Sequence, residues 1–444
     1  MQNHQNAGAG ASKRPNPVPA VSRITSDRTI IELVYDAAAR KTALCVSRFG
    51  GLWNIEQEVT IETGEVLVPY SVSNNLIANE CVLLPSKPVE YGFKHELLAD
   101  IRVFLHRYVD LSPLFTQIAA HYVLLSWVYD RFNEVPYLRL RGEYGTGKTR
   151  ALMAIGSLCY KPFFASGAST VSPIFHTLDA FGGTLILDEA DLPFSDARAE
   201  LVKILNNGNM RGMPVLRSVQ NRHKEFNPAA FKVFGPKIIA MRESFQDKAL
   251  ESRFLTEETG TRPLRPDIPI YLPASLKTEA LELRNRLLHF RLCEFFKIET
   301  DISALTAGIE PRLNQITLPL LSLVDDPDLR IQMQSAFLAH NEDTLALRRE
   351  TAEAGVAAAA VSAFAASGGD DVSVGDITER FNATHSPEAS LLKSSKWVGY
   401  MLRTKLRLST RKSRGVYVVA ASEKTKIDAL CQRYGLSAID LQQN

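Results

Sequence analysis

The chain has 444 residues, about three times the ~150 residues of a typical domain, so two to four domains are expected. Hydrophobic residues make up 45% and charged residues 23%, which excludes a largely disordered, collagen-like or disulfide-stapled chain. With 51 basic residues against 49 acidic ones the net charge is only +2, so bulk charge names no partner. Apolar runs such as Val356–Ala366 are too short and too Ala-rich to cross a bilayer. The first twenty residues lack the apolar stretch of a secretory signal, and the five cysteines lie far apart without a CxxC pair. A soluble cytoplasmic protein with no membrane partner is expected.

Residues 1–26 carry no hydrophobic period and read as a flexible arm. Residues 27–90 hold short runs rich in Val, Ile, Leu and Thr, broken at Gly50-Gly51 and Thr63-Gly64, which predicts a small β-rich domain. Between His95 and Phe132 apolar residues recur at three- and four-residue spacing, which predicts helices leading into a core that ends near residue 260. From Leu140 to Leu255 strands and helices alternate as in a parallel α/β sheet. Residues 261–368 are predicted to be a helical lid and linker, with helices at Leu276–Phe296, Leu318–Ala339 and Ala346–Ala366. The Ser367-Gly368-Gly369 break then opens a separate module over 369–444.

The sequence Gly142-Glu143-Tyr144-Gly145-Thr146-Gly147-Lys148-Thr149 fits G-x-x-x-x-G-K-[ST], with the strand Tyr137–Leu140 before it and a helix after it. Glycines let backbone N–H groups wrap phosphates at a helix N-terminus. Lys148 would reach the β- and γ-phosphates of ATP, and the Thr149 hydroxyl would hold Mg²⁺. Forty residues further on, Thr184-Leu185-Ile186-Leu187-Asp188-Glu189 reads as a buried strand with carboxylates at its C-terminal tip, where ligands bind in an open α/β sheet. Asp188 would organise Mg²⁺, and Glu189 would act as general base on the attacking water.

Met213–Val219 and Ala230–Phe234 flank a polar turn containing Asn227-Pro228 and read as an inserted hairpin. Its basic residues include Arg217, Arg222 and Lys224, which suit a phosphate backbone. Gly235–Ala240 reads as the next core strand, with Arg242 near its tip placed to sense the γ-phosphate. Arg253 lies eleven residues further on, where a guanidinium can stabilise charge on a transferring phosphoryl group.

The order of GEYGTGKT, LILDEAD, ILNNGNMRG, GPKIIA and ALESRFL over residues 95–340 resembles the AAA+ ATPase core of superfamily 3-like phage, plasmid and mobile-element helicases. It is similar in particular to primase-associated and DUF3631-type predicted ATPases. Ser252–Phe254 resembles the arginine-finger element of minichromosome-maintenance helicases. The resemblance implies a P-loop NTPase acting on nucleic acid as a homo-oligomer, such as a hexamer, with ATP sites shared between subunits. Arg242 departs from the small polar sensor usual in that group, for which Asn206 or Asn207 could substitute. Asp188–Asp191 spells the box of another helicase group, whose downstream Ser-Ala-Thr motif is absent.

In the last module, Val372–Phe381 reads as a helix capped by Ser373, and Lys396–Arg403 as a second helix behind Ser394. Leu406–Ser409 and Gly415–Val419 then bracket a basic turn. Two helices and a hairpin predict a winged helix. Between Ala389 and Ser422 there are eight Lys or Arg and no Asp or Glu, a one-signed face suited to DNA. Lys396, Arg403, Lys405, Arg411, Lys412 and Arg414 are the expected contacts. The expected function is an ATP-dependent DNA helicase or translocase of a replication or mobile-element system. A DNA-bound ATP-dependent switch without unwinding is the alternative.

Overall fold

The computed structural model describes residues 16–48, 50–190, 196–220, 226–245, 247–385 and 392–436. These form two compact units that divide between Gln334 and Ser335.

The first unit opens with β1 (Val18–Ala20), β2 (Ser22–Ile24), β3 (Ile30–Asp36), β4 (Lys41–Ser47), β5 (Trp53–Glu56), β6 (Val59–Thr60), β7 (Val66–Pro69) and the short α1 (Asn75–Ala78). The expected β-rich segment is therefore present, as a β2-β3-β4-β5 meander and a β1-β7-β6 sheet. Residues 18–24, expected within a flexible arm over 1–26, are instead paired in sheets: Val18–Ala20 pairs with Leu67–Pro69 and Ser22–Ile24 pairs with β3, while residues 1–15 lie outside the described residues. Nor does the segment fold apart from the central sheet. Leu33, Leu44, Val46 and Leu67 share one continuous core with Phe163, Leu185 and Ile239, and Val82 bridges to Phe163.

Two helices, α2 (Lys94–Tyr108) and α3 (Pro113–Val128), come next. Ser112 separates them, its hydroxyl capping Phe115 N–H with Pro113 in the first turn, where its missing N–H costs nothing. The central sheet contains β8 (Tyr137–Arg141), β9 (Phe163–Ser166), β10 (Leu185–Asp188), β13 (Lys237–Met241) and β14 (Phe254–Glu258). The intervening elements are α4 (Lys148–Leu158), α5 (Val171–Phe181), α6 (Asp196–Asn207), the hairpin β11 (Val215–Gln220) and β12 (Phe226–Phe231), and α7 (Lys248–Glu251). All five strands are parallel in the order β14-β8-β13-β10-β9. Their near-continuous apolar runs, such as Leu185-Ile186-Leu187 and Ile238-Ile239-Ala240, are those of strands covered on both faces. Residues 221–225, between the two strands of the hairpin, lie outside the described residues. Asn227 and Pro228, expected in the turn, lie instead in β12 opposite Val219 and Ser218.

The helices α8 (Ser275–Glu294), α9 (Pro311–Leu321) and α10 (Pro327–Arg349) close the unit, the last running across the division. The single helix expected over Leu318–Ala339 is broken because Asp326 accepts from the N–H groups of Asp328 and Leu329, starting α10 with Pro327 in its first turn.

A buried ionic node ties the β-rich layer to the central sheet. The Glu32 carboxylate on β3 lies 2.8 Å from Lys161 Nζ and 2.8 Å from Arg291 Nε on α8, and accepts from the Tyr160 hydroxyl. Arg291 also meets Asp130 at 2.7 Å. Burial by itself would raise the Glu32 pKa, but Lys161 and Arg291 outweigh it and hold the carboxyl below its ordinary 4.5.

The second unit holds α11 (Ala352–Ala366), β15 (Val372–Ser373), α12 (Val374–His385), α13 (Ser395–Thr404), β16 (Thr410–Ser413), β17 (Val416–Val419) and α14 (Lys424–Tyr434). Its antiparallel sheet runs β15-β17-β16. Ser373 Oγ accepts from Asp376 N–H and Ser394 Oγ from Trp397 N–H, so both expected caps form. Two boundaries differ from expectation. The Ala-rich α11, assigned to the lid, packs with α12 and α14, since its small side chains allow close approach on nearly every face. Thr410–Ser413, expected as a turn, is itself a strand. The turn is Arg414-Gly415, with φ of 46° and 86°, the positive pair of a tight two-residue hairpin. No helix among the described residues is long and apolar enough to cross a membrane.

Removing one member of the buried node leaves charges unpaired in the core. Glu32→Gln is expected to cost about 3–5 kcal/mol of stability, read from denaturant unfolding. Because the folded pKa of Glu32 is depressed, its contribution is complete above pH 4.5 and lost as the pH falls through the folded value. The variant's unfolding should therefore lose part of the acid dependence of the parent between neutrality and pH below 4.5. Equal acid dependence in both proteins would contradict the pairing.

Candidate active site

Strand register sets the site. Met241 pairs with Arg141 and Leu187 pairs with Ile239, so the C-terminal tips of β8, β13 and β10 stand level with β13 in the middle. The glycine-rich loop leaves β8, Arg242 leaves β13, and Asp188 ends β10. They converge on a cleft of about 350 Å³ lined by residues 144–150, Asp188, Glu189 and 240–242.

The loop is braced from its far side by the end of β14. Thr259 donates from its N–H and its hydroxyl to the Arg141 carbonyl, at 2.7 and 2.9 Å. Thr146 Oγ1 donates to the Glu143 carbonyl at 2.8 Å and lies 2.8 Å from Thr259 Oγ1. Two glycines are required by this geometry. An alanine methyl at Gly142 would lie 2.4 Å from Thr259 Oγ1, and Gly147 caps α4 with φ of 86°. Lys148 Nζ donates to the carbonyls of Gly142 and Glu143, at 2.7 and 2.6 Å, so the side chain curls over the loop that precedes it. Thr149 is exposed in the first turn of α4.

Across the cleft, the half-buried Asp188 carboxylate accepts from Glu189 N–H at 3.0 Å. Glu189 is exposed, with φ of 54°, a left-handed conformation uncommon outside glycine and found at functional turns. Arg242 lies against Tyr144 of the loop. The structure thus brings Gly142–Thr149, Asp188, Glu189 and Arg242 together. Asn206 does not join them: its amide donates to Asp247 at 2.7 Å.

Arg253 also lies elsewhere, at the opposite end of β14 from the loop. It is 8% exposed, with Nε donating to Asn209 Oδ1 at 2.8 Å and Nη2 to the Asn206 carbonyl at 3.3 Å. Burial, with Arg312 nearby, pulls its pKa below the ordinary value. On the hairpin, Arg217 pairs with Glu200 at 3.4 Å and lies over the Phe175 ring, while Leu216 and Phe226 are exposed. Arg222 and Lys224 lie outside the described residues. In the second unit Lys396, Arg403, Lys405, Arg411, Lys412 and Arg414 are all exposed. Arg411 there pairs with Asp371, and Arg403 Nη1 donates to Thr410 Oγ1 at 3.3 Å.

Residues that the motifs did not mark extend the site. A second pocket of about 530 Å³ shares residues 144–147 and Arg150 with the cleft and continues along Val109, Asp110, 258–262 and 268–270. Arg150 straps its wall by donating to the carbonyls of Pro269 and Ile270. The run Arg265-Pro266-Asp267-Ile268-Pro269-Ile270 was the available signal, because two prolines so close favour an extended strap over a helix.

No family model and no curated protein matches the chain. Solved structures similar to it include the apo C-terminal region of NrS-1, residues 305–718, at 11% identity and a TM-score of 0.38, covering 88% of this chain and 96% of that one. JCV helicase is similar at 17% identity and a TM-score of 0.24, covering 55% of this chain and 65% of that one. Cdc6p from Pyrobaculum aerophilum is similar at 12% identity and a TM-score of 0.21, covering 74% and 96%.

Gly142→Ala is expected to weaken binding of a fluorescent ATP analogue roughly fivefold or more, from an overpacking misfit of about 1–3 kcal/mol at the loop. Because the clash is confined to the loop and Thr259, the melting temperature should move little. An unchanged affinity would contradict the bracing of the loop by Thr259.

Proposed function

We propose that the chain is an ATPase that acts on DNA. The observation that carries this reading is the convergence of a complete phosphate-binding loop, the Asp188-Glu189 pair and Arg242 on one cleft. The backbone N–H groups of the glycine-rich loop would cradle the phosphates, and Lys148 would exchange its two loop carbonyls for phosphate oxygens. The residues also fit a magnesium ion, since an exposed hydroxyl at Thr149 and a half-buried carboxylate at Asp188 line the same cleft. Bound there, Mg²⁺ would neutralise phosphate charge. Glu189 would orient the attacking water and accept its proton as its oxygen bonds to the γ-phosphorus and ADP departs. The adjoining 530 Å³ pocket would take the base and ribose.

The finer reading is an AAA+ core of a replication or mobile-element helicase or translocase, with a helical lid and a C-terminal winged helix. The helix–strand–helix–helix–hairpin order of the second unit supports the winged helix. Its exposed cations support a nucleic-acid partner. In a ring, proposed as a hexamer, Arg253 would have to leave Asn209 and Asn206 before it could reach a neighbouring nucleotide. That burial favours the second reading, a DNA-bound switch whose nucleotide state controls assembly without unwinding.

ATP hydrolysis with and without single-stranded and duplex DNA tests the proposal. Glu189→Gln should still bind ATP while hydrolysing it about 10²-fold more slowly or worse. Normal turnover by that variant would overturn the site assignment. Strand displacement that disappears in Arg253→Ala would select the ring motor, and DNA binding with slow, DNA-indifferent hydrolysis would select the switch. Replacing Arg403, Lys412 and Arg414 together by Ala should weaken DNA binding and flatten its salt dependence by up to about three phosphate contacts, with ATP affinity unchanged. An unaltered salt slope would remove the second unit from the DNA interface.

A further inference from the structure

Tyr144 occupies the third position of the phosphate-binding loop and is 76% exposed. A tyrosine there is not needed to form the loop, whose bracing runs through Thr146, Thr259 and the glycines. Its ring has a different partner. The Arg242 guanidinium carbon lies 4.3 Å from the ring centroid, and Arg242 Nη1 donates to the Tyr144 hydroxyl. Stacking and a hydrogen bond together fix both the plane and the direction of a side chain that would otherwise sample many rotamers.

The two ends of this contact lie on different elements of the cleft. Arg242 follows Met241 at the tip of β13, and Met241 pairs with Arg141, the residue before the loop. Tyr144, Arg242, Asp188 and Glu189 line the same cleft. The other arginine lining it, Arg150, is committed to the carbonyls of Pro269, Ile270 and Tyr108. Arg253 is held by Asn209 and Asn206 at the far end of β14.

We infer that Tyr144 is a positioning residue that holds Arg242 of its own chain at the mouth of the phosphate cleft, where the guanidinium meets the terminal phosphate of a nucleoside triphosphate. The inference rests on the proposed ATP site. A planar guanidinium matches two oxygens of one phosphate, and the diphosphate product lacks the group it would grip. The pair therefore gives the site its preference for triphosphate over diphosphate without a residue from a second subunit. The aromatic ring carries most of the positioning, because it sets the plane of the fork, and the hydroxyl adds direction.

The test is equilibrium titration of the full chain with Mg·ATPγS and with Mg·ADP, read as the ratio of the two affinities. Arg242→Ala should lower that ratio roughly tenfold or more, the size of a lost charge-assisted hydrogen bond. Tyr144→Ala should lower it in the same direction, and Tyr144→Phe should keep most of it. Because Tyr144 is exposed, its variants should melt with the parent, so a changed ratio would not reflect unfolding. A parental ratio in Tyr144→Ala, or an equal loss of both nucleotides, would overturn the positioning role. Lys148→Ala separates the two claims. If it abolishes binding while the Tyr144 and Arg242 variants keep the parental ratio, the ATP site stands and this inference falls. If the parent binds neither nucleotide, both fall.

Discussion

The insertion of β13 between β8 and β10 is the constraint on which the cleft depends. Parallel pairing on both sides of β13 puts three strand tips level, and each tip contributes a different group. The loop brings backbone donors and Lys148, β13 brings Arg242, and β10 brings Asp188 with Glu189. A slip of one residue in β13 would turn its alternate side chains to the other face and carry Arg242 away from the loop. The foot of β13 is pinned against such a slip. Lys237 Nζ donates to the carbonyls of Gly208, Val233 and Gly235, and Tyr122 accepts from its N–H while donating to its carbonyl. An ammonium has three donors, and all three are used.

Around that sheet, the groups that hold the site come from distant parts of the chain. Thr259, more than a hundred residues after Gly142, supplies the surface against which the loop is folded. Arg150 fastens the proline-containing strap beside the second pocket. Glu32, near the start of the first unit, pairs both with Arg291, near its end, and with Lys161, two residues before β9 begins. The β-rich layer is thus part of the same core as the sheet.

The range of each interaction decided how legible it was in the sequence. The glycine-rich loop, the strand ending in Asp188 and the caps at Ser373 and Ser394 rest on local signals, and each element forms within the residues that carry its signal. Arg242 reads as the polar residue near the tip of a core strand, and β13 brings it to the cleft. Its stacking on Tyr144 joins residues 98 apart, which no spacing rule reaches. Arg253 reads from the sequence as a guanidinium able to stabilise charge on a transferring phosphoryl group, and the acceptors that hold it, Asn209 and Asn206, lie across an inserted hairpin that no local pattern bridges. The Ala-rich α11 was given to the lid because glycines 368 and 369 read as a linker. Its alanines gain nothing without close neighbours, and α12 and α14 provide them.

The central claim is that these groups form one nucleotide site whose phosphate grip depends on Lys148 and whose metal grip depends on Asp188. Calorimetric titration of the full chain with ATP, in the presence and absence of Mg²⁺, tests it most directly alongside Asp188→Asn. The account predicts binding that Mg²⁺ strengthens in the parent, and binding that no longer responds to Mg²⁺ in the variant. Affinity indifferent to Mg²⁺ in the parent, or an equal response in Asp188→Asn, would contradict it.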